Sequence, residues 1–159
     1  MDLLRQAYEL YTAGRMHDAL EAAQAACDRT PRNAEAWALL ARIVRHIGLP
    51  AASDQAFQRA AALDRARRLP YRVPPERFRA LVEEVKRGLP SPLQRRLEGT
   101  TIQVRPLPAP AAVQAGVHPD ALAVRPAPGQ LVLFQLNHEN GSAGEDDLRS
   151  LIARSLRGD

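Results

Sequence analysis

The chain has 159 residues and a mass of 17.5 kDa, room for one mid-sized domain or two small ones, since autonomous domains mostly run ~100–150 residues. Apolar residues make up 45% and charged residues 25% of it, a globular balance that excludes a strongly disordered chain. The net charge of +4 is scattered, with ten Arg against eight acids in residues 1–68 and twelve Lys plus Arg against ten beyond, which speaks against the clustered basic footprint of a nucleic-acid binder.

The start, Met1-Asp2-Leu3-Leu4-Arg5, lacks the basic segment and apolar core of a secretory leader. No apolar run approaches the ~20 residues of a membrane span, so a soluble cytoplasmic protein with no membrane partner is expected. Laid on itself at an offset of 34 residues, the chain pairs Leu3 with Trp37, Ala7 with Ala41, Leu10 with Val44, Gly14 with Gly48, Ala23 with Phe57 and Ala26 with Ala60. Small Ala7 and Ala41 let paired helices approach, Gly14 and Gly48 make the turns between them, and Trp37, Leu40 and Phe57 fill the space between hairpins. The lone Cys27 lies on an alanine-rich face and reads as a buried small hydrophobe. Pro31 closes the first repeat, Asn33 is placed to cap the next helix, and Asp64-Arg65 stands where a second closing proline would be.

Over residues 2–65 this pattern resembles the tetratricopeptide repeat family, whose period it shares. Departures are Gln6 in place of a leucine and Ser53 in place of an alanine. Two repeats bury little by themselves, so the next helix is expected to cover the exposed end. The resemblance implies a peptide-binding groove lined by the first helix of each hairpin: Leu4, Tyr8, Tyr11 and Thr12, then Glu35, Ala38, Arg42, Arg45 and His46. Two tyrosines beside two arginines suit another protein or an extended peptide with acidic or aromatic residues. The alternative reading of these positions is a solvated helix face. The carboxylate clamp of some family members needs Lys and Asn where this chain has Leu4 and Tyr8, and is not expected.

Eleven of thirteen prolines lie at or after Pro70, a composition shift that marks a linker at 69–74 between domains at 1–68 and 75–159. Pro74 and Pro75 open a helix with Phe78, Leu81, Val82 and Val85 on one face. Gly88 and Pro90 stop it, and Ser91 with Gln94 offers a capping box for a short second helix ending near Gly99. Thr100–Arg105 alternates as a strand, and Leu131–Leu136 is a nearly continuous apolar run suited to a more buried one. Between them Pro106–Pro128 reads as loop, with a short strand at Ala121–Val124. Ser142 and Glu145 suggest another capping box before a last helix carrying Leu148, Leu151, Ile152 and Leu156. The whole predicts an α+β fold.

Phe78–Pro90, Thr101–Arg105, Leu131–Asn137 and Asp147–Leu156 together resemble the front part of the minimal zincin-like metallopeptidases. The resemblance implies a last helix running into HExxH, which would supply two zinc-binding histidines and a general base. Gly158 and Asp159 stand where His and Glu would be, so neither catalytic residues nor zinc are expected in this chain. His138-Glu139 imitates the motif's opening, but Ser142 stands four residues on and Asn140-Gly141 favours a turn, so His138 is expected in a loop. The resulting expectation is a non-catalytic interaction or scaffold protein with a degenerate metallopeptidase-like domain, tolerant of self-association. The alternative is a fragment of a repeat-linked zinc metallopeptidase whose motif lies downstream.

Overall fold

A computed structural model of the chain describes residues 2–158. Along the chain run α1 (Leu3–Thr12), α2 (Met16–Arg29), α3 (Ala34–His46), α4 (Pro50–Leu63), α5 (Pro75–Arg87), α6 (Ser91–Glu98), β1 (Thr101–Arg105), α7 (Pro110–Gln114), β2 (Ala123–Val124), β3 (Gln130–Phe134), α8 (Gln135–Asn140) and α9 (Glu145–Arg157). The fold is therefore mixed α+β. The chain divides into two compact units: residues up to Leu69 together with Ala109–Pro119, and Pro70–Pro108 together with the chain from Asp120 onward.

In the helical unit, local chemistry sets the ends of the helices. Asp2 caps α1 by accepting from the Leu4 and Arg5 amides at 3.0 and 3.3 Å, and Asn33 caps α3 by accepting from Glu35 and Ala36 at 3.0 and 3.4 Å, satisfying amides that have no intrahelical partner. Gly14 and Gly48 turn the chain between paired helices at φ 80° and 91°, a region that disfavours a Cβ. Their hydrogen bonds repeat with the 34-residue period: Gly14 N–H donates to Tyr11 O and Arg15 N–H to Leu10 O, as Gly48 N–H donates to Arg45 O and Leu49 N–H to Val44 O. Ala7 and Ala41 are both fully buried where helices meet. Ser53, the departure from alanine, is fully buried and donates to Ala41 O at 2.7 Å, so its hydroxyl is satisfied. Cys27 is buried, and that burial raises its thiol to about 11.

The core of this unit joins Ala7, Tyr11, Met16, Ala19, Ala22, Ala23, Leu39 and Ile43 with one residue from far along the chain, Val113. The helix after α4 does not belong to this unit, contrary to expectation. The stripe of α5, Phe78, Leu81 and Val82, is spent on the other unit's core with Leu131, Leu133, Leu148, Ile152 and Leu156. Ala109–Pro119, read from sequence as loop, packs within the helical unit instead and forms α7.

The second unit is a three-stranded sheet in the order β1-β3-β2, with β1 parallel and β2 antiparallel to β3. The parallel pair needs a long crossover, and Ala109–Pro119 lies within it. Residues 70–73, expected as part of a linker, are tied into this unit: Tyr71 N–H donates to Ser142 O at 3.0 Å and Val73 N–H to Glu139 Oε2 at 3.0 Å. The apolar run that reads as a strand to Leu136 stops at Phe134, and α8 follows directly. Neither expected capping box forms. Gln94 reaches back to Arg87 O and Leu89 O at 2.9 and 2.6 Å, and Ser142 donates to His138 O at 2.8 Å. α9 begins after Gly144 and ends at left-handed Gly158, φ 86°.

Candidate functional site

The residues that sequence placed in a groove lie on α1 and α3, and the structure brings three of them together, Tyr11, Arg42 and His46. The Tyr11 ring is fully buried. The His46 imidazole meets it edge-on at 5.5 Å, and the Arg42 guanidinium stands 5.7 Å from its centroid, a cation–π distance. Arg42 Nε also donates to Ala38 O at 3.4 Å, which fixes its stem along the helix. Tyr8, one turn earlier on α1, is 43% exposed.

The others are placed differently. Leu4 is half-buried and packs against the unit's core. Thr12 turns its hydroxyl back onto Glu9 O at 3.1 Å. Glu35 is exposed in the first turn of α3, Ala38 is buried and Arg45 is half-buried.

A polypeptide already lies against this face. His46 Nε2 lies 3.2 Å from Pro119 O, so the ring donates, since a carbonyl only accepts. The Tyr8 hydroxyl and His118 Nε2 are also 3.2 Å apart. Val113 is 1% exposed, and burying a valine side chain contributes about 1.5–3 kcal/mol. Val113, His118 and Pro119 were not singled out from sequence as site residues. The available signal was weak: valines punctuate an otherwise small and proline-rich stretch, where period-based reading finds neither helix nor strand.

The second unit holds a buried polar cluster on α8. His138 is fully buried, in a helix rather than the expected loop. The reason is that β3 runs straight into α8, so the turn at Asn140-Gly141 ends a helix instead of replacing one. Nδ1 of His138 is 2.8 Å from Phe134 O and Nε2 is 2.8 Å from Ser155 Oγ. The carbonyl requires hydrogen on Nδ1, so neutral Nε2 accepts from the serine. Burial holds this imidazole down at about 4, the Phe134 hydrogen bond opposing only in part.

Glu139, 1% exposed, accepts from Arg72 Nη1 at 3.2 Å, from Val73 N–H at 3.0 Å and from Gln135 Nε2 at 2.9 Å. Both nitrogens of His138 and both oxygens of Glu139 are therefore committed to protein partners. A resident zinc does not fit this donor set, because a ligating imidazole needs one nitrogen open to the metal. Ser155 also lines a cavity of about 480 Å³ with Leu122, Val124, Leu131, Arg125 and Arg154. Among the described residues no group of three His, Cys, Asp or Glu is arranged to hold a metal.

Comparison with protein-family models, curated proteins and solved structures gave no match.

Proposed function

We propose that this chain is a non-catalytic, cytoplasmic interaction protein whose tetratricopeptide-like unit holds another polypeptide on the α1/α3 face, with a zincin-like second unit acting as scaffold. One observation carries the reading: Tyr8 and His46 on that face make polar contacts with a stretch of polypeptide, the chain's own His118-Pro119. A face that seats a backbone carbonyl and a side chain of one segment has the donors, aromatic surface and depth to seat another. Arg42 and Arg45 add positive charge suited to an acidic residue in the partner. The scaffold role of the second unit is supported by the engaged donors of His138 and Glu139, which leave the only sequence echo of a metallopeptidase motif doing structural work.

The test is selection of a displayed library of extended peptides against the full chain, both as it stands and with Ala109–Pro119 replaced by an equal-length Gly-Ser run. Binding of selected peptides that falls at least about tenfold on Tyr8→Ala or Arg42→Ala, as loss of one good polar or cation contact would produce, supports the reading. No binder to either form, or binders indifferent to both substitutions, overturns it. Metal analysis of the purified chain addresses the second unit, where stoichiometric, chelator-removable zinc would contradict the scaffold role.

A further inference from the structure

The same face is occupied in cis, and several contacts show that the occupant is seated rather than merely adjacent. The Val113 side chain lies in the core with Ala7, Tyr11 and Ile43. Gly14 is in close approach to the segment, since a Cβ there would stand 2.9 Å from Gln114 Cγ and 3.3 Å from Val113 Cγ1. Gly116, at φ 113°, follows α7, with its amide donating to Val113 O and the Val117 amide to Ala112 O. This turn directs the chain to His118 and Pro119, which meet Tyr8 and His46.

We infer that Ala109–Pro119 is a built-in occupant of the groove: a polypeptide in trans gains the face by displacing it, and the partner that fits presents the same chemistry, a β-branched apolar residue followed at its fifth and sixth positions by His-Pro. This rests on the polypeptide-binding reading of the face and adds its regulation and ligand class. The segment is suited to displacement. Its helix, Pro110–Gln114, has five residues, too few to hold itself together in isolation, and Ala111, Ala115 and Gly116 are exposed. Its hold comes from two buried side chains, Val113 and Pro119, the close fit over Gly14 and the polar contacts of His118 and Pro119. Tethering at both ends keeps its effective concentration high, on the order of millimolar, so the closed form predominates. A trans ligand then binds with an affinity reduced by the fraction of chains that are open.

The experiment measures anisotropy of a fluorescent synthetic peptide with the sequence of Ala109–Pro119, added to four full chains: unaltered, segment replaced by Gly-Ser, Val113→Ala, and Gln114→Ala. Val113→Ala removes the buried anchor of the built-in segment and leaves unchanged the face that the added peptide, its own valine intact, would meet. Gln114→Ala alters the exposed neighbour and so controls for a change in the segment as such. Circular dichroism checks folding of each chain, and the alanine pair decides the matter if the Gly-Ser chain does not fold.

The expected result is binding to the Gly-Ser and Val113→Ala chains at least about tenfold tighter than to the unaltered and Gln114→Ala chains, the open fraction having risen. Equal binding to all four would overturn the closure while leaving the face a polypeptide site. No binding to any folded chain, while library peptides still bind, would overturn the ligand class alone.

Discussion

The Tyr8 hydroxyl lies 3.2 Å from Nε2 of His118, 110 residues further along the chain, with the two rings 6.3 Å apart and tilted by 50°. No local interaction enforces this approach; it exists because Val113 is anchored nearby in the same unit. Tyr8 is part-exposed, so its hydrogen bond competes with water. Tyr8→Phe is therefore expected to destabilise by only about 0.5–1 kcal/mol, read by urea unfolding. The stronger readout is spectroscopic. His118 ring resonances should move in Tyr8→Phe while those of His17, exposed on α2, stay in place. A stationary His118 would mean that the pair does not form in solution.

Val113→Ala should cost more than its position in a proline-rich stretch would suggest. Its side chain is 1% exposed and packs among core residues of α1, α2 and α3. Removing two methyl groups there forfeits about 2 kcal/mol of transfer and packing free energy. The neighbouring Gln114 is exposed, and Gln114→Ala should stay within about 0.5 kcal/mol. Equal urea midpoints for the two variants would remove Val113 from the core.

Much of this architecture is legible in the residues that terminate elements. Asn33 caps as expected, Gly14 and Gly48 adopt the left-handed turns that the 34-residue period implied, Pro75 opens α5, and Ile102 and Val104 alternate along β1. What escapes is whatever depends on contacts distant in sequence. Nothing local in Pro106–Pro128 shows that Val113 enters a core formed by residues 7–43. The run Leu131–Leu136 does not reveal its change from strand to helix, because period-2 and period-3.6 burial look alike over six residues of which only Gln135 is polar. His138 looks like a turn residue because Asn140-Gly141 follows it, and it is packing far along the chain, by Ser155 of α9 and the Phe78 ring of α5, that covers it. For the candidate site, position in the repeat names Tyr8, Tyr11, Arg42 and His46, whereas the segment that meets Tyr8 and His46 has no such signal.

Arg72 and Glu139 pin the extended stretch at 70–73 to α8. Glu139 is 1% exposed while the Arg72 side chain is 28% exposed, so the carboxylate is much the more deeply desolvated partner. Glu139→Ala leaves the Val73 amide and Gln135 without their acceptor as well as breaking the ion pair, and should cost about 3 kcal/mol. Glu139→Gln retains one acceptor oxygen but turns an amide NH₂ toward existing donors, and should cost about 1–2 kcal/mol. Chemical denaturation of both, with hydrogen exchange at the Val73 amide, checks this. An unprotected Val73 amide in the unaltered chain would contradict it.

His138 makes stability depend on pH in a specific window. In the folded chain the imidazole is buried, neutral and held down at about 4, against an ordinary value of 6.5. Above about pH 6.5 neither folded nor unfolded chain binds a proton at this residue, so its contribution is complete and flat. As pH falls from there toward 4, the unfolded chain takes up a proton that the folded chain refuses, and stability drops. Each pH unit across that span costs about 1.4 kcal/mol, about 3 kcal/mol in all. His138→Gln should remove this limb of the stability profile. Ser155→Ala should cost about 1–3 kcal/mol at neutral pH by stripping the donor from a buried acceptor; it should also make the limb shallower, because a neutral imidazole without that hydrogen bond is less favoured over the charged form. A wild-type profile flat between pH 7 and 4.5 would show that the imidazole is not held neutral between Phe134 and Ser155.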